Sequence, residues 1–372
     1  MRAVGGQRGR VHGGDSMVLV ERVRHLREPL LDFSVDLNPF GAPACVRTVV
    51  VNHVDDLFRY PDPRATALRR AIAALHQIPM DAVLPANGSA ELIGLLACVR
   101  PITRSLVIVP AFTEYEWTLE SRGVDCMRVT ASEADRFHID WNASEWRERL
   151  DGVELVFLCN PNNPTGVVVS KEQVLRLAQW CRGAGSLLVV DEAFIDFVDE
   201  PDTVSVIREA VELEQLVVLR SLTKQFAVPG LRLGYLVGPP DVVETMRSLQ
   251  QPWPLNALAL AVGTRLLDEQ EFVTHSRRQI RRLREQLVRT LDALPGLQPL
   301  PSSVNFILCR VTDRRVNSSA LVDALAARGL LLRNCDDFTG LEPGRFIRMA
   351  VLQEAAQERL VAALHAVLSE RT

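Results

Sequence analysis

The chain has 372 residues, 47 % of them hydrophobic and 24 % charged, which excludes wholesale disorder and leaves enough length for two or three domains' worth of core. A net charge of −4 gives no reason to expect a nucleic-acid partner. No apolar run approaches the roughly 18 residues that a membrane helix needs, and residues 1–10, rich in Gly and Arg, lack the apolar stretch of a signal peptide, so a cytoplasmic globular protein is expected. After this polar tail, residues 64–77 place Leu68, Ala71, Ile72 and Leu75 at helical spacing. Short apolar runs follow at 106–109, 155–158, 187–190 and 216–219, each without alternation, as strands buried on both faces read. Helical patterns at 92–99 and 171–182 complete a strand–helix alternation. The prediction is an α/β fold with a mostly parallel central sheet flanked by helices. From 256 onward the pattern changes. Helices are expected at 256–268 and 271–293, a Pro/Gly break at 294–301, a strand at 304–308 and a helix at 318–328. Two short strands near 330–333 and 346–351 and a last helix then complete a smaller α+β domain.

The seven Cys form no CxxC pair, and the seven His show neither HxxxH nor HExxH spacing. Reduced thiols and no metal site are expected. Of 42 Lys and Arg residues only two are Lys, Lys171 and Lys224. Arg serves wherever a positive charge suffices, but it cannot form a Schiff base, so a retained Lys points to a need for an amine. Lys171 opens an ordinary helix start and reads as a remnant. Lys224 does not.

Open α/β sheets bind ligands beyond the carboxyl ends of their strands. There the sequence reads Pro-Ala-Phe-Thr-Glu-Tyr (110–115), Asn-Pro-Asn-Asn-Pro-Thr-Gly (160–166), Asp191-Glu192 and Arg-Ser-Leu-Thr-Lys (220–224). Each segment alone has an ordinary explanation, since Asn-Pro marks turns and a strand-terminal Asp often caps a helix. Together they bring an amide, an acid, a hydroxyl and the rare Lys to one edge. Ser-Leu-Thr-Lys also fits the SxxK motif of penicillin-binding enzymes, but the Lys-Thr-Gly that such a site needs is absent. An amine near a strand-terminal carboxylate suits pyridoxal 5′-phosphate (PLP). The amine binds the cofactor aldehyde, and the acid keeps the pyridine nitrogen protonated.

The runs 160–166, Asp-Glu-Ala-Phe-Ile-Asp-Phe (191–197) and Ser-Leu-Thr-Lys-Gln-Phe-Ala-Val-Pro-Gly-Leu-Arg-Leu-Gly-Tyr (221–235) resemble fold-type I PLP-dependent enzymes of the aminotransferase class I/II group. The resemblance extends from about residue 10 to 370. It implies that Lys224 holds PLP covalently and then moves the Cα proton. It also implies that Asp191 pairs with the pyridine N–H, Asn163 bonds the ring O3′, and Ser221 and Arg232 bind the phosphate. Gly88 and Ser89 open an apolar helix whose free N–H groups suit that phosphate. Phe112 matches an aromatic stacked on the ring, and Tyr60 one that reaches the phosphate of a partner subunit in a homodimer. The resemblance further implies an arm of residues 1–40 packing with the small domain, a large PLP-binding domain over 41–255 and a small domain over 256–372.

Within the group the sequence is more similar to threonine-phosphate decarboxylases of cobalamin biosynthesis than to histidinol-phosphate aminotransferases. The similarity lies in His-Gly-Gly-Asp (12–15), Leu-Asp-Phe-Ser (31–34), Gln-Pro-Trp-Pro-Leu-Asn-Ala-Leu (251–258), and Phe194 where the aminotransferases carry a Tyr. The implied substrate is a phosphorylated amino acid, held by Arg348, Arg333, Asn160, Asn305, His12 and the Gly13 backbone. In the run Ser-Val-Asp-Leu-Asn-Pro (34–39), Asp36 stands where the decarboxylases carry an amide. A carboxylate there repels an anionic substrate unless it points away or pairs with an Arg. A histidinol-phosphate-type aminotransferase is the alternative, and a non-catalytic binding module a third.

Overall fold

The computed structural model describes residues 30–369. Its central sheet is built from β2 (Val83–Asn87), β3 (Arg104–Val109), β4 (Asp125–Thr130), β5 (Leu155–Cys159), β6 (Leu187–Asp191), β7 (Leu216–Ser221) and β8 (Leu233–Val237). The strand order is β2-β8-β7-β6-β5-β3-β4. Strands β4, β3, β5, β6 and β7 run parallel, and β8 is antiparallel to both of its neighbours. The unbroken apolar runs arise because successive side chains point to opposite faces and both faces are covered. Val107, Phe157 and Val189 face the helices Ser89–Leu96, Glu114–Glu120 and Pro240–Leu249. Ile108, Leu158 and Val190 face the helices Thr66–His76 and Lys171–Ala184. The latter helix starts on a capping box of Ser170 with Gln173 and ends on Gly185 at φ +75°.

A second sheet of β9 (Leu297–Pro299), β10 (Phe306–Val311), β12 (Arg333–Asn334) and β13 (Phe346–Ala350) is antiparallel, in the order β12-β13-β10-β9. Strand β9 lies where the sequence suggested only a break. The helices Gln270–Asp292, Ser318–Ala326 and Glu354–Ser369 cover this sheet through Ile280, Leu287, Leu321, Leu360 and Leu364. The chain enters through β1 (Leu31–Asp32), which pairs in parallel with β11 (Leu330–Leu331). The Ala350 amide then donates to the Phe33 carbonyl at 2.8 Å. The expected boundary at 256 does not coincide with the change of core. Leu255, Ala259, Val262, Leu266 and Val273 pack with the large sheet, and the second core takes over from Ile280. The helix Ala257–Leu266 lies against Cys45–Asn52 and Thr66–His76, so its apolar face belongs to theirs. No helix among the described residues is long and apolar enough to cross a membrane.

Candidate active site

Asp191 ends β6 and is 3 % exposed. The Tyr115 hydroxyl donates to its Oδ2 at 2.6 Å, and the Ala193 amide donates to its Oδ1 at 3.0 Å. Burial pushes the Asp191 pKa up, and these two hydrogen bonds pull it back toward the charged form. Tyr115 is itself fixed. It stacks on Phe157 with centroids 4.8 Å apart and meets Phe112 edge-on at 5.7 Å. One strand further, β7 ends at Ser221 and the short helix Leu222–Gln225 begins, carrying Lys224. The Lys224 amine lies 5.9 Å from the centre of the Phe194 ring. Burial lowers its pKa; Asp36 and Asp191 oppose that shift, while Arg348 and Arg232 add to it. A lowered amine is more often neutral, and the neutral amine is the nucleophile.

The loop after β5 supplies Asn163, whose side-chain oxygen accepts from Arg348 Nη1. Arg348 Nη2 contacts Asp36 Oδ2 at 2.6 Å and donates to the Ser34 carbonyl at 3.1 Å. The carboxylate that the sequence flagged as misplaced therefore pairs with an Arg. Arg348 and Arg333 are register partners across β12 and β13, so their side chains share a face of that sheet. Arg333 also bonds Asp337 at 2.6 Å.

The opposite part of the site is backbone. Gly88, at φ +80°, caps the helix Ser89–Leu96. A Cβ there would come within 2.9 Å of Arg232 Nη2, and one on Gly234 within 2.8 Å of the Ser89 amide nitrogen. Both glycines permit an approach that no side chain allows. The Ser221 and Thr223 hydroxyls stand 2.7 Å apart beside them.

These elements enclose a cavity of about 360 Å³. Lys224, Asp191, Asn163, Ser221, Arg232, Gly88, Ser89, Phe112, Arg348, Arg333 and Asp36 all line it. Asn160, Asn305 and Tyr60 do not. In place of the expected substrate contact, both ends of the Asn160 amide bond the Val169 backbone at 2.9 Å and close the loop that carries Asn163. Asn305 donates to the Leu37 carbonyl at 3.2 Å and so steadies the Asp36 segment. Tyr60 is 81 % exposed and stacks on Trp253 at 4.4 Å. His12 and Gly13 lie outside the described residues. Tyr115, Thr223, Ser34 and Phe338 are among the lining residues that were not singled out from the sequence. The signal for Tyr115 was present, since it closes the strand-end run 110–115 and is one of three Tyr in the chain.

The donor set fits PLP. A buried amine with a lowered pKa shares a cavity with a strand-terminal carboxylate, and the helix start at Gly88 with Arg232 offers a cradle for a phosphate dianion. Fold and site together define a PLP-dependent enzyme of the fold-type I architecture. The family model for aminotransferase class I and II matches residues 28–364; the chain belongs to this family, and its cofactor is pyridoxal 5′-phosphate. Threonine-phosphate decarboxylase of Salmonella typhimurium is 33 % identical over 359 residues, covering 96 % of each chain. The structure of histidinol-phosphate aminotransferase from Clostridium acetobutylicum superposes with a TM-score of 0.85 at 27 % identity, over 92 % of this chain and 100 % of that one. The structure of L-threonine-O-3-phosphate decarboxylase from Porphyromonas gingivalis does so with a TM-score of 0.79 at 25 % identity, over 91 % and 99 %.

Proposed function

We propose that this protein decarboxylates L-threonine O-3-phosphate to (R)-1-aminopropan-2-ol O-phosphate in cobalamin biosynthesis, as a cytoplasmic homodimer. One observation carries the reading: Arg333 and Arg348 stand opposite each other across β12 and β13 and line the cavity that holds Lys224. Two guanidinium groups on one wall suit a substrate with two anionic groups, a carboxylate and a phosphate. The identity with the Salmonella typhimurium decarboxylase over nearly the whole of both chains supports the same choice. So does Phe194, which brings no hydrogen-bond donor to the site.

PLP, when bound, supplies a ring that accepts the electron pair left on Cα when one of its bonds breaks. Asp191 would meet the ring nitrogen, and Tyr115 holds Asp191 in position. Asn163 would bond O3′. Gly88, Ser89, Ser221 and Arg232 would hold the phosphate, with Tyr60 of the partner subunit reaching the same group. Val51, Val54, Leu57 and Phe58, all exposed in the single chain, extend the Tyr60 surface that a second copy would cover. Phe112 would pack on the ring face. Arg348 and Arg333 would select which bond to Cα breaks by where they seat the carboxylate. Lys224 would hold the cofactor and would be the acid that returns a proton to Cα.

The test is to give the holoenzyme threonine phosphate without a keto acid. The reading expects carbon dioxide and the amino-alcohol phosphate in equal amounts. Turnover that needs 2-oxoglutarate, or that occurs only with histidinol phosphate, overturns it in favour of an aminotransferase. No turnover of either substrate leaves a binding module.

A further inference from the structure

Asp36 is 3 % exposed, lies in the cavity wall and pairs with Arg348 through Oδ2 at 2.6 Å. Its other oxygen, Oδ1, is buried and has no hydrogen-bond partner among the described residues, and the same holds for Arg348 Nε. The two terminal nitrogens of Arg348 already carry partners, Nη2 the Asp36 carboxylate and the Ser34 carbonyl and Nη1 the Asn163 side chain, so only Nε–H and one N–H of Nη1 remain for a substrate. An anionic substrate group that seats on Arg348 therefore competes with the Asp36 carboxylate for one cation.

The segment that carries Asp36 is held against the site. Its backbone is pinned on both sides. Upstream, the Phe33 amide donates to the Leu331 carbonyl at 2.8 Å, and the Ser34 carbonyl is held by Arg348. Downstream, the Leu37 carbonyl accepts from Asn305. The Asn38 amide donates to the Lys224 carbonyl at 3.0 Å, and the Asn38 side chain donates to the Gln225 carbonyl at 2.8 Å. An anion seated on Arg348 lies beside the Asp36 carboxylate and disfavours its charged form.

We propose that Asp36 is a specificity-determining residue that takes up one proton from solvent as the anionic group of the substrate replaces it on Arg348. The proton goes to Oδ1, the oxygen with no partner, and the neutral carboxyl then offers a donor where the carboxylate offered only repulsion. The groups facing Asp36 are Arg348 from β13, Arg333 from β12, the buried Cys335 thiol just after β12, Lys224 from the helix after β7, and Asp32 from β1. Burial raises the Asp36 pKa above the ordinary carboxylate value. The three cations lower it and Asp32 raises it, so partial loss of Arg348 to a substrate moves it further up. The inference rests on the reading that the substrate brings an anionic group to Arg348.

The probe is 3-phosphonooxybutanoate, which is threonine phosphate without its amino group and cannot react with the cofactor. Calorimetric titration of the holoenzyme in buffers of different ionisation enthalpy counts the protons taken up. Wild type is expected to take up more protons than Asp36→Asn, by up to about one, over the pH range in which the free enzyme's Asp36 is charged. Its affinity falls up to about tenfold per pH unit relative to that variant, which is the dependence of a one-proton linkage. Asp36→Ser carries the same expectation if Asp36→Asn does not fold. Equal proton uptake in wild type and variant, no uptake by wild type, or tenfold weaker binding by a folded Asp36→Asn each overturns the proposal. Decarboxylation without the proton count sinks this inference alone. The proton count without decarboxylation sinks the functional reading alone.

Discussion

Tyr115 does for Asp191 what Asp191 does for the cofactor. It fixes a charged group that burial would otherwise neutralise. A hydrogen bond to a charged partner contributes about 1.5–3 kcal/mol, so Tyr115→Phe is expected to fold and to lose roughly ten- to hundredfold in kcat. The cofactor absorption band should shift with it, because a neutral Asp191 no longer keeps the ring nitrogen protonated. Kinetics and an absorption spectrum of the variant check this, and an unchanged kcat with an unchanged band contradicts it. At this scale the sequence was informative about residue type and weaker about placement. The scarcity of Lys marked Lys224, and the strand ends marked Asp191 and Asn163. Asn160 stands in the same motif as Asn163 but closes a loop, because both of its amide groups meet the Val169 backbone, a partner nine residues away that no motif displays.

The elements place the chemistry through their ends. Strands β5 and β6 end as register partners, Cys159 opposite Asp191, and β7 runs past Leu219 to Ser221, so residues far apart in sequence meet beyond one sheet edge. Strand β8 does the same from the other direction, since its Gly234 lies against the start of the helix Ser89–Leu96. Gly234→Ala is expected to push that helix start aside and to weaken PLP binding at least about tenfold, with secondary structure retained. Titration of the apoenzyme with PLP measures it, and wild-type affinity contradicts the cradle described above. The four central strands were legible because both of their faces are apolar. Strands β2 and β4 were not, because they lie at the edges of the sheet, and β8 was not, because Gly234 and Tyr235 interrupt its apolar run. Strand β9 was hidden by the Pro and Gly residues around it, and its pairing with β10 is a tertiary contact.

For the whole molecule, two cores share one long helix, Gln270–Asp292, and the cavity lies where the arm, the large sheet and the small sheet meet. The large domain also half-buries a titrating group that does not line the cavity. His76 contacts the Tyr235 hydroxyl at 2.8 Å, and burial pushes its pKa down to about 3. The unfolded chain binds this proton near pH 6.5 and the folded chain does not, so stability rises with pH between about 3 and 6.5 and is lost as pH falls through that window. At pH 5.5 the loss from this group is about 1.4 kcal/mol. His76→Gln, which keeps a hydrogen-bonding amide, should lose about that much less than wild type between pH 7.5 and 5.5 in urea unfolding. An identical pH dependence contradicts the assignment.

The central claim is that the amine of Lys224 is the group on which the cofactor is held, and a chain with two Lys residues makes it directly measurable. Holoenzyme reduced with borohydride, digested and mapped by mass spectrometry should carry the pyridoxyl group on the peptide containing Lys224. Lys171, which pairs with Glu209 at 2.6 Å and does not line the cavity, should carry none. A label on Lys171, or no label at all, contradicts the account.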